Sequence, residues 1–341
     1  MSTFRTKNTT NYLDREETMN SLQGKVALVT GSGQGVGRGI AEFFAEEGAV
    51  VITNNRKKKP NAAVPDYLTG EAREQFLAMS GDAETAAEAI RVKGGKAEAY
   101  FCDVSDYSAV KEMIDTIVKK YGRIDIVVNN AAITQAGGLM LLSESDWDRQ
   151  TVVKLKGAFN TMRLAAPYMI EQGGGSFINV ASDAWVGMVN AAAYSASNAG
   201  LVGLTRSCAA ELFHYNINVN AICPQAASPG HVSGFTKTLL TLEKAMGEGF
   251  RMPEEKRKEV EADHGDARDL APFLAFLVSD AGRDKTGGVF SVTASGRISW
   301  YAPEEELDGL PRSAPRTVEE IIELIPKSPL KDAFMCVGDT F

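Results

Sequence analysis

Short apolar runs alternate with longer amphipathic stretches through most of this 341-residue chain. KVALVT at 25–30 is an apolar run that ends at glycines; GRGIAEFFAEEG at 37–48 follows with helical spacing and stops at a glycine. The alternation then repeats. Strands are predicted at 49–54, 96–104, 123–131, 176–181, 218–223 and 288–293, and helices at 83–95, 108–122, 145–170, 190–213 and 267–280. Strands separated by helices of this length imply βαβ units and a parallel sheet. The strands are almost continuously apolar, as expected when helices cover both faces of the sheet. The pattern therefore predicts an α/β fold.

Two segments, 56–82 and the tail from about 300 to 341, break the rhythm. Residues 1–21 form a polar arm, and 22–298 a single domain. Within it, 56–82 reads as an inserted loop, long enough to be functional or mobile. Residues 229–262 read as a substrate lid with Gly230 and Gly234 as hinges, carrying Phe235, Leu239, Leu240, Leu242 and Phe250. The acidic, proline-punctuated extension 299–341 either packs on a neighbouring subunit or moves freely.

Hydrophobic residues make up 44% of the chain, charged residues 23%, and the net charge is −8. That balance disfavours nucleic acid and acidic membrane surfaces as partners. No apolar run reaches the roughly 18 residues of a membrane span, and the N-terminus has no secretory apolar core. The cytoplasm is the expected compartment. Four scattered cysteines read as reduced thiols, and three scattered histidines give no metal-ligand spacing, so no metal is expected.

The chemistry starts at VTGSGQGVGRG, between the first strand and the first helix. Gly31, Gly35 and Gly37 give TGxxxGxG, with Ser32, Gly33, Gln34 and Val36 between them. Such a turn lets backbone approach a pyrophosphate and aims helix N–H groups at it. Together with CDV at 102–104, NNAA at 129–132 and YSAS at 194–197, it resembles the short-chain dehydrogenase/reductase family, over about residues 22–295. WDRQTVVKLKGAFN and the long loop after the second strand are most similar to the (3R)-hydroxyacyl-CoA dehydrogenase type.

The resemblance implies a Rossmann-type, doubly wound, seven-stranded parallel sheet and a homodimer or homotetramer. It implies that Asp103 holds the adenine amine and Val104 its ring, and that Asn129, Asn130 and Ala131 line the ribose and nicotinamide side. Pro224, Gln225 and Ser228 would lie along the nicotinamide, with Gln225 standing where the family has glycine and either crowding the cofactor or reshaping the entrance. At the end of the second strand Asn55 takes the place of the aspartate of NAD users, and Arg56, Lys57, Lys58 and Lys59 follow. A cation suits the 2′-phosphate of NADP. NADP(H) is therefore expected over NAD(H), unless the lysines are merely solvated loop charges.

By the same resemblance Tyr194 is the acid/base and Ser182 orients the substrate oxygen. The family's lysine, four residues after the tyrosine, is here Asn198, and the helical position of the family's asparagine is Lys154. The two look exchanged. Lys154 shares a helical face with Trp147, Ala158 and Thr161, so it is expected to be packed, with Lys156 turned to solvent. It either supplies the positive charge near Tyr194 or reaches solvent or a second subunit. A tyrosine without that charge keeps its proton, which favours reducing a ketone over oxidising an alcohol. The expected substrate is a carbonyl or alcohol compound, apolar, cyclic or an acyl thioester. The alternative is a weak or inactive relative that binds nucleotide or a paralogous subunit.

Overall fold

The computed structural model describes residues 20–58, 64–133, 139–234, 236, 255 and 264–302. Eight strands form one sheet in the order β3-β2-β1-β4-β5-β6-β7-β8. These are β1 (Val26–Thr30), β2 (Val50–Asn55), β3 (Lys96–Phe101), β4 (Ile126–Asn129), β5 (Gly175–Val180), β6 (Ile217–Gln225), β7 (Val289–Thr293) and β8 (Ile298–Trp300). The first seven are parallel, as expected. The short β8 adds to β7 in antiparallel register, Phe290 opposite Trp300. It straddles the boundary expected at 298, and the compact unit runs on to Tyr301.

Alternation along the strands feeds two apolar layers. Ala27 and Val29 of β1 face one layer with Ile40 and Phe44 of α1 (Gly35–Glu46) and Leu274 of α8 (Ala271–Val278). Val26 and Leu28 face the other with Met113 and Ile114 of α4 (Tyr107–Tyr121) and Met162 of α6 (Gly157–Glu171). Each fully buried Leu, Ile or Phe stabilises by about 1.5–3 kcal/mol, so the central strands anchor the fold. Local chemistry sets the helix ends. Asp82 caps α3 (Ala83–Val92) through Thr85 in a reciprocal capping box. Asp106 caps α4, which stops at Gly122 in a left-handed conformation (φ +74°).

Two elements differ from the pattern reading. The inserted segment 56–82 is not all loop: it holds α2 (Gly70–Ala78), whose Phe76 packs with Leu68 and with Val232 at the start of the lid segment. The helix expected at 145–170 is broken. α5 (Glu144–Thr151) passes into a π-helical turn, Val152–Lys156, before α6 begins. A π-turn inserts extra residue rotation, and such turns concentrate at functional sites. The offset explains why Trp147 is 41% exposed although Ala158 and Thr161 are buried.

The strand order reverses between β1 and β4, which places a crevice at the carboxyl ends of the strands. Among the described residues no helix is long and apolar enough to cross a membrane. Most of 229–262 and of 299–341, with Lys59 and the residues 1–19, lies outside the described part.

Candidate functional site

The crevice is floored by the glycine turn. Gly31 and Gly35 have φ of +64° and +51°, which side chains resist. A Cβ on Gly31 would lie 2.8 Å from Ala131 Cα, and one on Gly35 would lie 2.7 Å from Ser228 Cβ. Gly37 and Gly33 are equally crowded, by the Asn130 amide and by Asn55 with Asp82. The turn is therefore a packed cradle, closed on one side by the loop after β4 and on the other by the loop after β6.

Thr30 and Asn130 hold the cradle's shape. The Thr30 hydroxyl accepts N–H groups of Asn130 and Ala131, each at 3.0 Å, and donates to Val128 O at 3.2 Å. The Asn130 amide nitrogen donates to the carbonyls of Thr30 and Gly31, both at 3.0 Å. Its amide hydrogens are spent on the turn, so Asn130 clamps the site from behind. Ser32 is committed too: its hydroxyl accepts Asn54 N–H at 2.9 Å and its own N–H donates to Asn54 O at 3.0 Å.

Several acceptors here are buried without a partner. Gln34 Oε1, Asn54 Oδ1, Asn55 Oδ1 and Asn198 Oδ1 all have this state. Such groups destabilise a fold unless something donates to them. Ribose hydroxyls and N–H groups of a dinucleotide are donors of the required kind, so the residues fit a nicotinamide cofactor. Arg56 stands exposed beyond Asn55. Asp103 spends Oδ1 on Ser105, accepting its N–H at 2.9 Å and its hydroxyl at 2.6 Å, and keeps a second oxygen. Val104 is buried against Gly157 and its carbonyl accepts the Asn160 amide at 2.8 Å. Val36 packs on the apolar layer below.

The sequence-nominated catalytic residues converge at the ends of β5 and α7 (Ala192–Leu212). Ser182 caps the 3-10 turn Asp183–Val186, accepting Ala184 N–H at 3.3 Å. Tyr194 lies in the first turn of α7. Burial pushes its phenol above the usual range, while hydrogen bonding to Ser182 and Asn198 pulls the other way and Asp183 adds to the rise. One turn on, Asn198 donates Nδ2 to Tyr194 O at 2.8 Å.

Lys154 is 4% exposed, in the middle of the π-turn. Its ammonium donates to Val180 O at 2.6 Å and lies 5.9 Å from the centre of the Tyr194 ring. Burial pulls its pKa down to about 8. The lysine thus meets the ring face of the tyrosine, within cation–π range. Lys156, as expected, faces out, and donates to Ser105 O at 2.9 Å.

Around the rear of this group, three residues the sequence reading passed over, Asp183, Ser291 and Tyr301, meet others that it named. Pro224 and Gln225 close β6, and Gln225 Nε2 donates to Asp183 Oδ2 at 2.8 Å. The same carboxylate accepts Ser291 and Tyr301 hydroxyls. An aspartate directly after the nominated serine, in a short turn, was the one signal available. Ser228 Oγ accepts His231 N–H at 3.0 Å. His231 stacks on His264 with 3.8 Å between ring centres, and burial pulls its imidazole down to about 4. Among the described residues no group of three or more His, Cys, Asp or Glu is placed to hold a metal.

A sequence model described as short chain dehydrogenase matches residues 25–92 and 78–238. A Thermotoga maritima protein named 3-oxoacyl-[acyl-carrier-protein] reductase is 35% identical over 80% of this chain and 97% of its own. The chain belongs to the short-chain dehydrogenase family. A Thauera aromatica protein named (2S)-[(R)-hydroxy(phenyl)methyl]succinyl-CoA dehydrogenase subunit is 37% identical over 60% of this chain and 73% of its own. Among solved structures, a short chain dehydrogenase from Mycobacterium avium superposes with a TM-score of 0.70 at 30% identity, covering 90% of this chain and 95% of that one. This short-chain dehydrogenase is thus an oxidoreductase by family.

Proposed function

We propose that the protein is an NADP(H)-dependent reductase that converts a ketone, most fittingly a 3-oxoacyl thioester, to a secondary alcohol. The observation that carries this is the Tyr194 environment: a half-buried phenol held above its ordinary pKa, with Ser182 beside it. A protonated tyrosine is ready to give its proton to the oxygen of a carbonyl being reduced. Ser182 donates a hydrogen bond to the same oxygen and orients it. Bound NADPH supplies the hydride. Asn198 Oδ1, Asn55 Oδ1 and Gln34 Oε1 accept donors of the cofactor, and Gly31, Gly35 and Gly37 admit its pyrophosphate.

The absence of a carboxylate at Asn55 and the exposed Arg56 support NADP(H). Lys154 places a buried positive charge over the Tyr194 ring and stabilises the phenolate left after proton transfer. The relatives' names support an acyl thioester substrate. A homodimer or homotetramer in the cytoplasm completes the reading. The second reading, a weak or inactive member that binds nucleotide or a paralogous subunit, draws on one observation: the Asn198 amide donates back to its own helix.

The test is NADPH and NADH binding by fluorescence, with NADPH oxidation followed on ketones and 3-oxoacyl thioesters. The expected result is turnover that Tyr194→Phe lowers by about a hundredfold or more with NADPH binding retained. Lys154→Ala is expected to lose turnover as well. Tight NADPH binding without turnover across the panel would favour the second reading. Undiminished turnover in Lys154→Ala would remove the lysine from the chemistry.

A further inference from the structure

Directly after Ser182 the chain carries an aspartate to which neither proton transfer nor cofactor binding assigns a role. Asp183 opens the turn that Ser182 caps. Its carboxylate is the meeting point of three other segments. Gln225 at the end of β6 donates to Oδ2 at 2.8 Å, Ser291 in β7 donates to the same oxygen at 3.0 Å, and Tyr301 beyond β8 donates to Oδ1 at 2.7 Å. All three donors are neutral, so they stabilise the carboxylate without cancelling its charge. Tyr301 is held twice more: its N–H donates to Val289 O at 2.9 Å, and its ring meets Trp185 edge-on at 5.3 Å. Trp185 belongs to the same turn as Asp183, which closes the loop of contacts.

We infer that Asp183 is a positioning residue of this active centre: its carboxylate, shared by Gln225, Ser291 and Tyr301, fixes the turn that presents Ser182 and draws Gln225 back along the sheet edge. The inference rests on the reading of Ser182 and Tyr194 as the reacting pair. It gives β8 a purpose, since this antiparallel strand leads the chain to Tyr301 beside the serine turn.

The same carboxylate bears on Tyr194. That phenol is faced by Ser182 and Asp183 from the serine turn, Asn198 from its own helix, Cys223 from β6 and Lys154 from the π-turn. Burial keeps Cys223 a neutral thiol. Among the described residues named here, Asp183 and Lys154 carry charge, of opposite sign. Asp183 favours the protonated phenol, the form that reduction consumes.

The experiment uses Asp183→Asn, which keeps the shape and removes the charge, and Tyr301→Phe, which removes one donor and keeps the charge. Each is also made with Tyr194→Phe, so that tyrosinate difference absorbance isolates the Tyr194 titration. Circular dichroism checks folding. Asp183→Asn is expected to move the Tyr194 titration to lower pH, and the alkaline limb of ketone reduction with it. Tyr301→Phe is expected to leave that titration in place and to lower kcat about tenfold at unchanged carbonyl KM. A wild-type Tyr194 titration in folded Asp183→Asn, or a wild-type kcat in folded Tyr301→Phe, would overturn the inference. A wild type that never turns over counts against the Ser182–Tyr194 reading. The spectroscopic titration needs no turnover and decides the role of Asp183 separately.

Discussion

Replacing Lys154 by methionine isolates what the buried ammonium does to the fold. The side chain is 4% exposed, and burial draws its pKa from 10.5 to about 8. Below pH 8 the lysine is charged in the folded and the unfolded chain alike. The folded chain then bears the whole desolvation penalty, about 3 kcal/mol at about 1.4 kcal/mol per unit. Between pH 8 and 10.5 the unfolded chain binds more protons, so stability rises with pH; above 10.5 both forms are neutral and the penalty is gone. Methionine fills similar volume without charge. The lost bond to Val180 and any packing change do not depend on pH, so they cancel when the two proteins are compared across pH. Wild type should therefore gain about 2 kcal/mol on Lys154→Met between about pH 7 and about pH 9.5. Urea unfolding of both proteins at several pH values, with a common slope, measures this. A difference that stays flat with pH would refute the reasoning, because the ammonium would then be solvated rather than held over Tyr194.

Three further outcomes are expected. Asn55→Asp puts a carboxylate at the end of β2 and should raise the NADPH Kd at least about tenfold while NADH binding holds or improves, read by fluorescence titration. Gly33→Ala places a Cβ 2.5 Å from Asp82 Cα, so backbone has to move; a loss of about 1–3 kcal/mol in urea unfolding and a weaker cofactor Kd should appear together. Asn198→Lys supplies a second cation one turn from Tyr194; alcohol oxidation should rise more than ketone reduction, and its pH–rate profile should move to lower pH.

The sheet and the glycine turn were legible because both follow from local rules. Alternation, apolar runs and glycines at a strand-to-helix junction have the same meaning in any parallel sheet. Other features depend on distant partners. The π-turn has no composition signature in TVVKLKG, so the helix read as continuous and Trp147 was placed on a packed face. β8 is only Ile298–Trp300, exposed throughout, and carries no burial pattern that could reveal it. Gln225 was placed along the nicotinamide by resemblance; its bond to Asp183, 42 positions away, could not be read from the letters. The exchange of Lys154 and Asn198 was visible as letters. What each side chain bonds, Val180 O and Tyr194 O, was not.

The bond between Tyr301 and Asp183 spans 118 positions of the chain. Contacts of such separation form late, because the intervening chain must be ordered first. During synthesis, the glycine turn, Asn130 and Tyr194 all emerge well before residue 301. A nascent chain can assemble its nucleotide cradle while the serine turn still lacks its last hydrogen bond. On the proposed function, the parts that would bind nucleotide are made before the last contact of the serine turn, and a ribosome-stalled chain ending before Tyr301 would carry the whole glycine turn with the Asp183 bond to Tyr301 still unmade.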